Sequence, residues 1–313
     1  MATLANVWVI GEKPDQYASL CAFARTMGDK VSAVVVGTAD DAAAVATAGA
    51  DEVLLAAVPE GGLFEDGVSA VVAAVAERAP QAVVCATTKR LRLAAARIAA
   101  ACGTRVLNDA TALSAADDGS VVCEHMVFGG SAYATERAGA GTCAVATLAD
   151  ALLLANEGAA GSAAPVEELA AGAPSGIELV ERKPRTVEAV NLSAARRVVS
   201  VGRGFEKEED LALANDLAAA LEAEVGCTRP IAEGEGWMAR ERYIGVSGAM
   251  CKPDLFVAAG VSGQVQHMVG VTGAKTVVAI NKDKNAPVLK QVDYGIVGDL
   301  YDVLPKLTAA LSA

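Results

Sequence analysis

Short apolar runs alternate with alanine-rich stretches of helical spacing along most of this chain, and this alternation constrains the fold more than any other feature. In the first half, the apolar runs occupy residues 7–10, 30–37, 51–58 and 81–88. Predicted helices fill the intervals at residues 15–28, 39–49, 66–79 and 90–103. Continuous apolar runs separated by helices indicate parallel strands buried on both faces. The order predicts a doubly wound α/β domain with right-handed crossovers.

The pattern changes after Asn108. Residues 121–149 read as strands joined by turns and predict an antiparallel or mixed extension of the sheet. Residues 156–176 are rich in Ala, Gly, Pro and Ser, which predicts a loop, and residues 177–185 predict a strand that leads into a linker. With a boundary expected near residues 185–197, we predict an N-terminal α/β domain over 1–190 and a second domain over 191–313.

The second domain repeats the alternation of strands and helices. Its apolar runs lie within residues 196–204, 254–263, 275–281 and 293–300. Helices are predicted at residues 210–223, 264–270 and 300–313. The chain as a whole is therefore predicted to be α/β, with two doubly wound parallel-sheet domains. Neither a GxGxxG dinucleotide fingerprint nor a GxxxxGK[ST] phosphate loop is present.

Charge and hydropathy exclude two classes of partner. The net charge of −12 offers no basic surface for nucleic acid. Residues 1–195 carry 13 Lys and Arg against 23 Asp and Glu, whereas residues 196–313 carry 13 against 15. The second domain is thus the better place to hold an anionic ligand. No run of about 18 purely apolar residues occurs, so we expect no membrane insertion.

Cysteine and histidine usage argues against metal and hydrolase chemistry. The seven Cys form no CxxC pair, and His125 and His267 are the two histidines, so no zinc or His-rich motif exists. No GxSxG nucleophile elbow occurs either. The strand pattern starts at once, which leaves no room for a targeting segment, and we expect a reducing, cytoplasmic compartment. We expect no metal and no catalytic residues.

Three glycine-rich turns follow strands of the second domain, at residues 202–204, 260–267 and 280–287. Ligands of open parallel sheets bind outside the carboxyl ends of the strands. Ser262 and Gly263 precede a predicted helix start that favours phosphate oxygens, and Arg203 stands between two glycines where its guanidinium can pair with phosphate. Ordinary βα turns also use glycine, so a structural role stays open. Asn281 can read a base edge or close a turn.

Other polar residues lie near these turns. His267 can hydrogen-bond a developing anion or serve packing and capping, and His125 is expected to be structural. Pro230 disfavours helix for Arg229 and predicts an extended Arg that contacts an anion or forms a surface ion pair. Ser247 lies between two glycines, flanked by Trp237 and Tyr243, which are open to a packing role.

The second half of the chain resembles the C-terminal half of the electron transfer flavoprotein α subunit. The matching strings are VVSVGRG, TRP, YIGVSG, PDLFVAAGVSGQVQHMVG, TVVAINKDKNAP and DYGIVGDLYDVLP. The string RPIAEGEGWMARERYIGVSG resembles the FixB branch, associated with bacterial carnitine metabolism or nitrogen fixation. NDAT and MVFGG extend the resemblance into the first half.

The resemblance implies that the C-terminal domain, Rossmann-like and DHS-like, binds one FAD. It implies a heterodimer with a β subunit that shuttles electrons between a flavin dehydrogenase, acyl-CoA or related, and a redox partner, as in fatty acid β-oxidation. Such a protein is an electron carrier rather than an enzyme. The cofactor-binding residues carried over are Arg203, Thr228, Arg229, Ile244, Gly245, Val246, Ser247, Ser262, Gly263, Gln264, Val265, Gln266, His267, Asn281, Asp299 and Leu300.

Within that set, the family pattern implies a role for each region. Residues 262–267 and Arg203 would hold the phosphates and ribityl chain, with His267 also near the pyrimidine carbonyl. Thr228 and Arg229 would lie near the isoalloxazine, and the Ser247 hydroxyl near flavin N5. Asn281, Asp299 and Leu300 would meet the adenosine end. Val246 departs from the family's usual Gln, which removes an amide contact.

Electrostatics suit this expectation, because reduced flavin can be anionic. A nearby Arg229 and a hydrogen-bond donor from His267 would stabilise that negative charge and raise the flavin potential.

Two alternative functions stay open from the sequence. One is a sensor or assembly module that binds an adenine nucleotide without redox turnover. The other is a bifurcating complex whose β subunit carries a second flavin and an NADH site.

Overall fold

The computed structural model describes residues 3–156, 158, 160–181, 183 and 190–312. The chain divides into two compact units, Met1–Val127 with Tyr133–Lys183 and Phe128–Ala132 with Pro184–Ala313. Residues 184–189 of the predicted linker lie outside the described residues. The domain limits of 1–190 and 191–313 stay a prediction.

The first unit is built around one sheet with helices between its strands. Its strands are β1 (Leu4–Ile10), β2 (Gly28–Gly37), β3 (Glu52–Ala57), β4 (Ala82–Ala86), β5 (Val106–Ala115), β6 (Val121–Val127), β7 (Ala132–Ala138), β8 (Ala144–Leu148) and β9 (Val166–Glu168). Its helices are α1 (Tyr17–Arg25), α2 (Ala39–Val45), α3 (Phe64–Arg78), α4 (Lys89–Ala101) and α5 (Asp150–Leu154).

The strand order of this sheet is β7-β6-β5-β8-β4-β1-β2-β3-β9. The pairs from β5 through β8, β4, β1, β2 and β3 to β9 are parallel, and β5 pairs with β6 antiparallel. The four apolar runs of the first half form β1 to β4, and most of their valines and alanines are buried because helices cover both faces. The antiparallel β6 confirms the predicted mixed extension.

Two predictions for the end of this unit were wrong. β9 lies within the predicted loop 156–176, because the open edge of β3 accepts it with Val53 paired to Val166. Residues 177–181 and 183 form no strand, although Ile177, Leu179 and Val180 are apolar. Apolar residues alone do not form a strand without hydrogen bonds to a neighbouring strand.

The second unit has an all-parallel sheet in the order β11-β10-β12-β13-β14. Its strands are β10 (Arg197–Val201), β11 (Glu224–Cys227), β12 (Leu255–Ala259), β13 (Thr276–Asn281) and β14 (Tyr294–Val297). Its helices are α6 (Leu211–Leu221), α7 (Val265–Met268) and α8 (Leu300–Leu311). The doubly wound α/β class predicted for the chain is confirmed.

Strand order places a topological switch point in this second sheet. The chain runs from β10 to its neighbour β11 and then crosses to β12 on the other side of β10. The crossovers diverge there, and a crevice opens beyond the carboxyl ends of β10 and β12. Leu217 and Leu304 pack on one face of the sheet and Phe256 on the other, which fixes the strands rigidly beneath this crevice.

No helix within the described residues has the length and apolar character needed to cross a membrane.

Candidate functional site

A cavity of about 800 Å³ lies at the carboxyl ends of β10 to β13 in the second unit. Eleven of the residues singled out from the sequence line it: Arg203, Thr228, Arg229, Val246, Ser247, Ser262, Gln264, Val265, Gln266, His267 and Asn281. Gly202, Gly204, Pro230, Tyr243, Gly260 and Val261 complete its wall. The volume falls in the range of about 300–1,000 Å³ that is typical of small-molecule and cofactor sites.

The floor of the cavity is made by two turns that touch backbone to backbone. Gly204 N–H donates to the Gly260 carbonyl at 3.0 Å. A Cβ on Gly202 would lie 2.4 Å from the same carbonyl oxygen, so only glycine allows this approach. Arg203 is exposed between the two glycines and has no ion-pair partner among the described residues. Its guanidinium is therefore available to an anion.

Gly263 shapes the site without lining the cavity. Its φ is +86°, and an added Cβ would meet the Val288 backbone nitrogen at 2.3 Å. Val288 N–H donates to the Ser262 carbonyl at 3.1 Å, which holds the turn in place. The turn leads into α7, whose first amide groups cannot be satisfied by its own carbonyls and can face an anionic ligand.

His267 is held on both sides of its ring and is only 6% exposed. Its Nδ1 lies 2.9 Å from the Ile244 carbonyl, and a carbonyl only accepts, so Nδ1 carries the proton. Nε2 lies 3.4 Å from the hydroxyl of Ser200, a fully buried residue on β10. Burial lowers the pKa of His267, so the imidazole is neutral near pH 7 and Nε2 is an acceptor.

This arrangement corrects one expectation and adds one residue. His267 has no Nε2–H to donate to an anion while it is neutral, whereas the sequence led us to expect a donor. Ile244 does not line the cavity but acts through its carbonyl. Ser200 was not anticipated, because a serine inside an apolar strand gives no signal until its partner across the sheet face is known.

The segment around Ser247 forms one wall. Val246 N–H donates to the Gln266 carbonyl at 2.9 Å, and Gly245 N–H donates to the Ala249 carbonyl at 3.1 Å. Gly245 itself does not line the cavity. The apolar side chain of Val246 is exposed to it, and the Ser247 hydroxyl lies 3.3 Å from the phenol oxygen of Tyr243.

Arg229 differs from its prediction. Its φ and ψ of −50° and −44° are helical, not extended, and Pro230–Glu235 continues as a helical turn. Pro230 fits at the first helical position, where no amide donor is needed. One turn on, Glu233 accepts from Arg229 Nε at 2.6 Å, and this bond raises the pKa of the arginine. Glu233 was not anticipated, because an extended Arg229 would have placed this carboxylate elsewhere.

Three residues expected at the adenosine end gather at a smaller pocket of about 50 Å³. Asn281, Asp299 and Leu300 line it. Asn281 closes a turn: its amide donates to the Val261 carbonyl at 2.8 Å and its Oδ1 accepts from Asp283 N–H at 2.9 Å. Its amide is thus committed to the protein rather than free to read a base edge. Asp299 caps α8 by accepting from Tyr301 N–H at 3.0 Å.

The donor set of the cavity suits an elongated anionic ligand. Arg203 and Arg229 line one cavity with hydroxyl, amide and glycine backbone groups. In the described part of the chain, no cluster of three His, Cys, Asp or Glu side chains that could hold a metal ion occurs. A flavin dinucleotide fits these residues, because it needs cations and close backbone approach along its phosphates and apolar and polar contacts at its ring.

Comparison with known proteins gives the family. The Electron transfer flavoprotein FAD-binding domain matches residues 191–272, and the Electron transfer flavoprotein domain matches residues 16–174. A candidate electron transfer flavoprotein subunit of Escherichia coli K12, YdiR, is 42% identical over the full length of both chains. Protein FixB of Salmonella typhimurium LT2 is 40% identical and that of Escherichia coli O157:H7 39%, again over both full lengths.

These matches cover both units and agree with the cofactor expected from the sequence, because the domain that contains the cavity is the FAD-binding domain of its family. The chain therefore belongs to the electron transfer flavoprotein family, as an α-subunit-like member of the FixB and YdiR group.

Proposed function

We propose that this chain is the FAD-carrying subunit of a heterodimeric electron carrier, which accepts electrons from a flavin dehydrogenase, acyl-CoA or related, and passes them to a downstream redox partner. One observation supports this most strongly: side chains from four strand ends converge on a cavity at the switch point, with two guanidinium groups along its wall. In this proposal the partner is an electron transfer flavoprotein β subunit, and the compartment is the cytoplasm.

We assign a different group of residues to each part of the cofactor. Arg203, Ser262 and the first amide groups of α7 would hold the phosphates. Arg229, Ser247 and His267 would surround the ring, with Thr228 and Val246 beside it.

The smaller pocket of Asn281, Asp299 and Leu300 shares residues with the large cavity and would receive the adenosine end. Gly263 and Gly245 would act by shaping the turns rather than by contact.

The bound flavin supplies one- and two-electron redox chemistry, and the protein supplies the electrostatics. The Arg229 cation favours negative charge on a neighbouring ring, and Glu233 moderates it through their ion pair. His267 presents its Nε2 lone pair, which Ser200 can satisfy with its hydroxyl. No general base or nucleophile is required, and the role is that of a carrier rather than an enzyme.

The proposal is tested on the heterodimer made by co-expression with its β subunit. We expect a yellow complex whose flavin bleaches with dithionite, and an Arg203→Glu chain that loses FAD while it still binds the β subunit. Arg196→Glu, which reverses an exposed cation outside the cavity, serves as the control.

A colourless complex that binds ADP or AMP tightly would overturn the proposal and favour the nucleotide-binding sensor. Counting flavins per heterodimer, together with NADH oxidation coupled to two acceptors, separates a simple carrier from a bifurcating complex.

A further inference from the structure

Tyr243 places a buried phenol in the wall of the cavity. The residue is 4% exposed, and its Oη lies 3.3 Å from the Ser247 hydroxyl oxygen. Its backbone is fixed on both sides, because Tyr243 N–H donates to the Arg240 carbonyl at 3.1 Å and its carbonyl accepts from Ala249 N–H at 2.7 Å. The ring therefore has little freedom to leave Ser247.

Ser247 is the hydrogen-bond partner of the phenol within the described part of the chain. Arg229 lines the same cavity as the phenol. Ser247 itself is exposed to the cavity. The phenol lines the cavity and is also linked to the exposed serine hydroxyl, which can contact a ligand there.

Two linked hydroxyls can be arranged in two ways. Each hydroxyl has one proton to donate and can accept. When Tyr243 donates to Ser247, the serine proton is free to point into the cavity, and the chain of two bonds polarises it into a stronger donor. When Ser247 donates to Tyr243, the serine offers a lone pair instead. The phenol is the more acidic hydroxyl, which favours the first arrangement.

We infer that Tyr243 is a positioning residue that acts through Ser247, by directing the serine proton toward an acceptor atom on the ring of the bound flavin. This inference rests on the proposed function. A donor aimed at the ring stabilises the electron-rich reduced cofactor more than the oxidised one. Tyr243 would therefore raise the flavin potential through the hydroxyl of Ser247.

The test is a cycle of variants in the FAD-loaded heterodimer, read by redox titration. Tyr243→Phe removes one oxygen, and we expect it to lower the midpoint potential, with a two- to tenfold change in the reduction equilibrium constant. Ser247→Ala should also lower it. In the Ser247→Ala background, the further change Tyr243→Phe should have no effect, because the path through the serine is already broken.

Tyr301→Phe is the matched control. Tyr301 donates to Asp210 at 2.6 Å in the same unit and lines neither pocket, so its loss should leave the potential unchanged. Fluorotyrosine placed at position 243 keeps the ring and strengthens the donor, and it should raise the potential. This variant decides the question if Tyr243→Phe does not accumulate as a folded complex.

Equal shifts from Tyr243→Phe with and without Ser247 would overturn the inference and leave the proposed function intact. The absence of any shift from Tyr243→Phe, while Ser247→Ala still changes the potential, would do the same. A wild-type complex without flavin would overturn both.

Discussion

Arg229 donates from Nε to a carboxylate oxygen of Glu233 across 2.6 Å, so the cation beside the cavity is already paired with an anion. Arg240 approaches the other oxygen of Glu233 at 3.5 Å. The Arg229 side chain is still 65% exposed, and it lines the cavity. The electric field that a bound ring experiences here is therefore the net field of Arg229 and Glu233 together, rather than that of an isolated arginine.

Removing the anion of this pair should raise the flavin potential. Glu233→Gln keeps a hydrogen-bond acceptor for Arg229 but deletes the charge, so the field at the cavity becomes more positive and favours the reduced cofactor. Arg229→Ala should shift the potential in the opposite direction. Redox titration of the heterodimer measures both shifts, and they should shrink as the salt concentration increases because the groups are exposed.

Glu222→Gln, at an exposed carboxylate away from the cavity, is the control. Shifts of the same sign in both variants would refute this account of the pair.

Arg203 should contribute to FAD affinity rather than to the potential. Its guanidinium stands between two glycines and, among the described residues, has no anion to satisfy it. A charge-assisted bond to phosphate is worth about 1.5–3 kcal/mol, so Arg203→Ala should weaken FAD binding by about 10- to 100-fold. Fluorescence titration of apoprotein with FAD measures the dissociation constant. Unchanged affinity, equal to that of the Arg196→Ala control, would place the phosphates elsewhere.

Gly263 is required for steric reasons that a comparison of two variants can isolate. Gly103 also has a positive φ, +63°, but a Cβ there meets nothing within 4 Å. Gly103→Ala should lower the free energy of unfolding by about 1–2 kcal/mol, the cost of the left-handed backbone. Gly263→Ala should cost about 1–3 kcal/mol more, because the Val288 backbone must move. Chemical denaturation measures both. Equal losses would mean that the turn relaxes freely.

Burial of His267 predicts a specific dependence of stability on pH. Its pKa is lowered in the folded chain and is about 6.5 when unfolded, so below neutral pH the unfolded state binds more protons. The contribution of His267 to folding is complete above pH 6.5 and declines as the pH falls below it. His267→Asn keeps a donor for Ile244, and it should reduce the loss of stability between pH 7 and pH 5 in urea denaturation. Parallel curves for the two proteins would show that the imidazole is freely protonated in the native state.

The sequence was sufficient to predict those strands and turns whose signal lies within a single segment. Apolar runs separated by helices predicted β10, β12 and β13 and the glycine turns that follow them, since burial on both faces leaves a pattern in each strand by itself. The convergence of those turns on one cavity follows from parallel pairing. β11 was not predicted, because Glu224 and Gly226 interrupt a run of only four residues, and its pairing with β10 stabilises it from outside the segment.

What could not be predicted depends on partners distant in sequence or on a local conformation that runs against a general preference. Ser200 and His267 are 67 residues apart and meet only because β10 lies beneath α7. The residue before a proline usually avoids the helical region, yet Arg229 adopts it, where its ion pair with Glu233 can form. The tautomer of His267 likewise depends on the Ile244 carbonyl, which no side-chain pattern reveals.

The central claim is that the cavity at the switch point of the second sheet holds FAD. A crystal structure of the co-expressed heterodimer tests it directly. The account predicts flavin density in the cavity, with the phosphates at Arg203 and Ser262 and the ring beside Arg229, Ser247 and His267. A structure of the yellow complex in which this cavity is closed by its own side chains, with the flavin bound elsewhere, would contradict it.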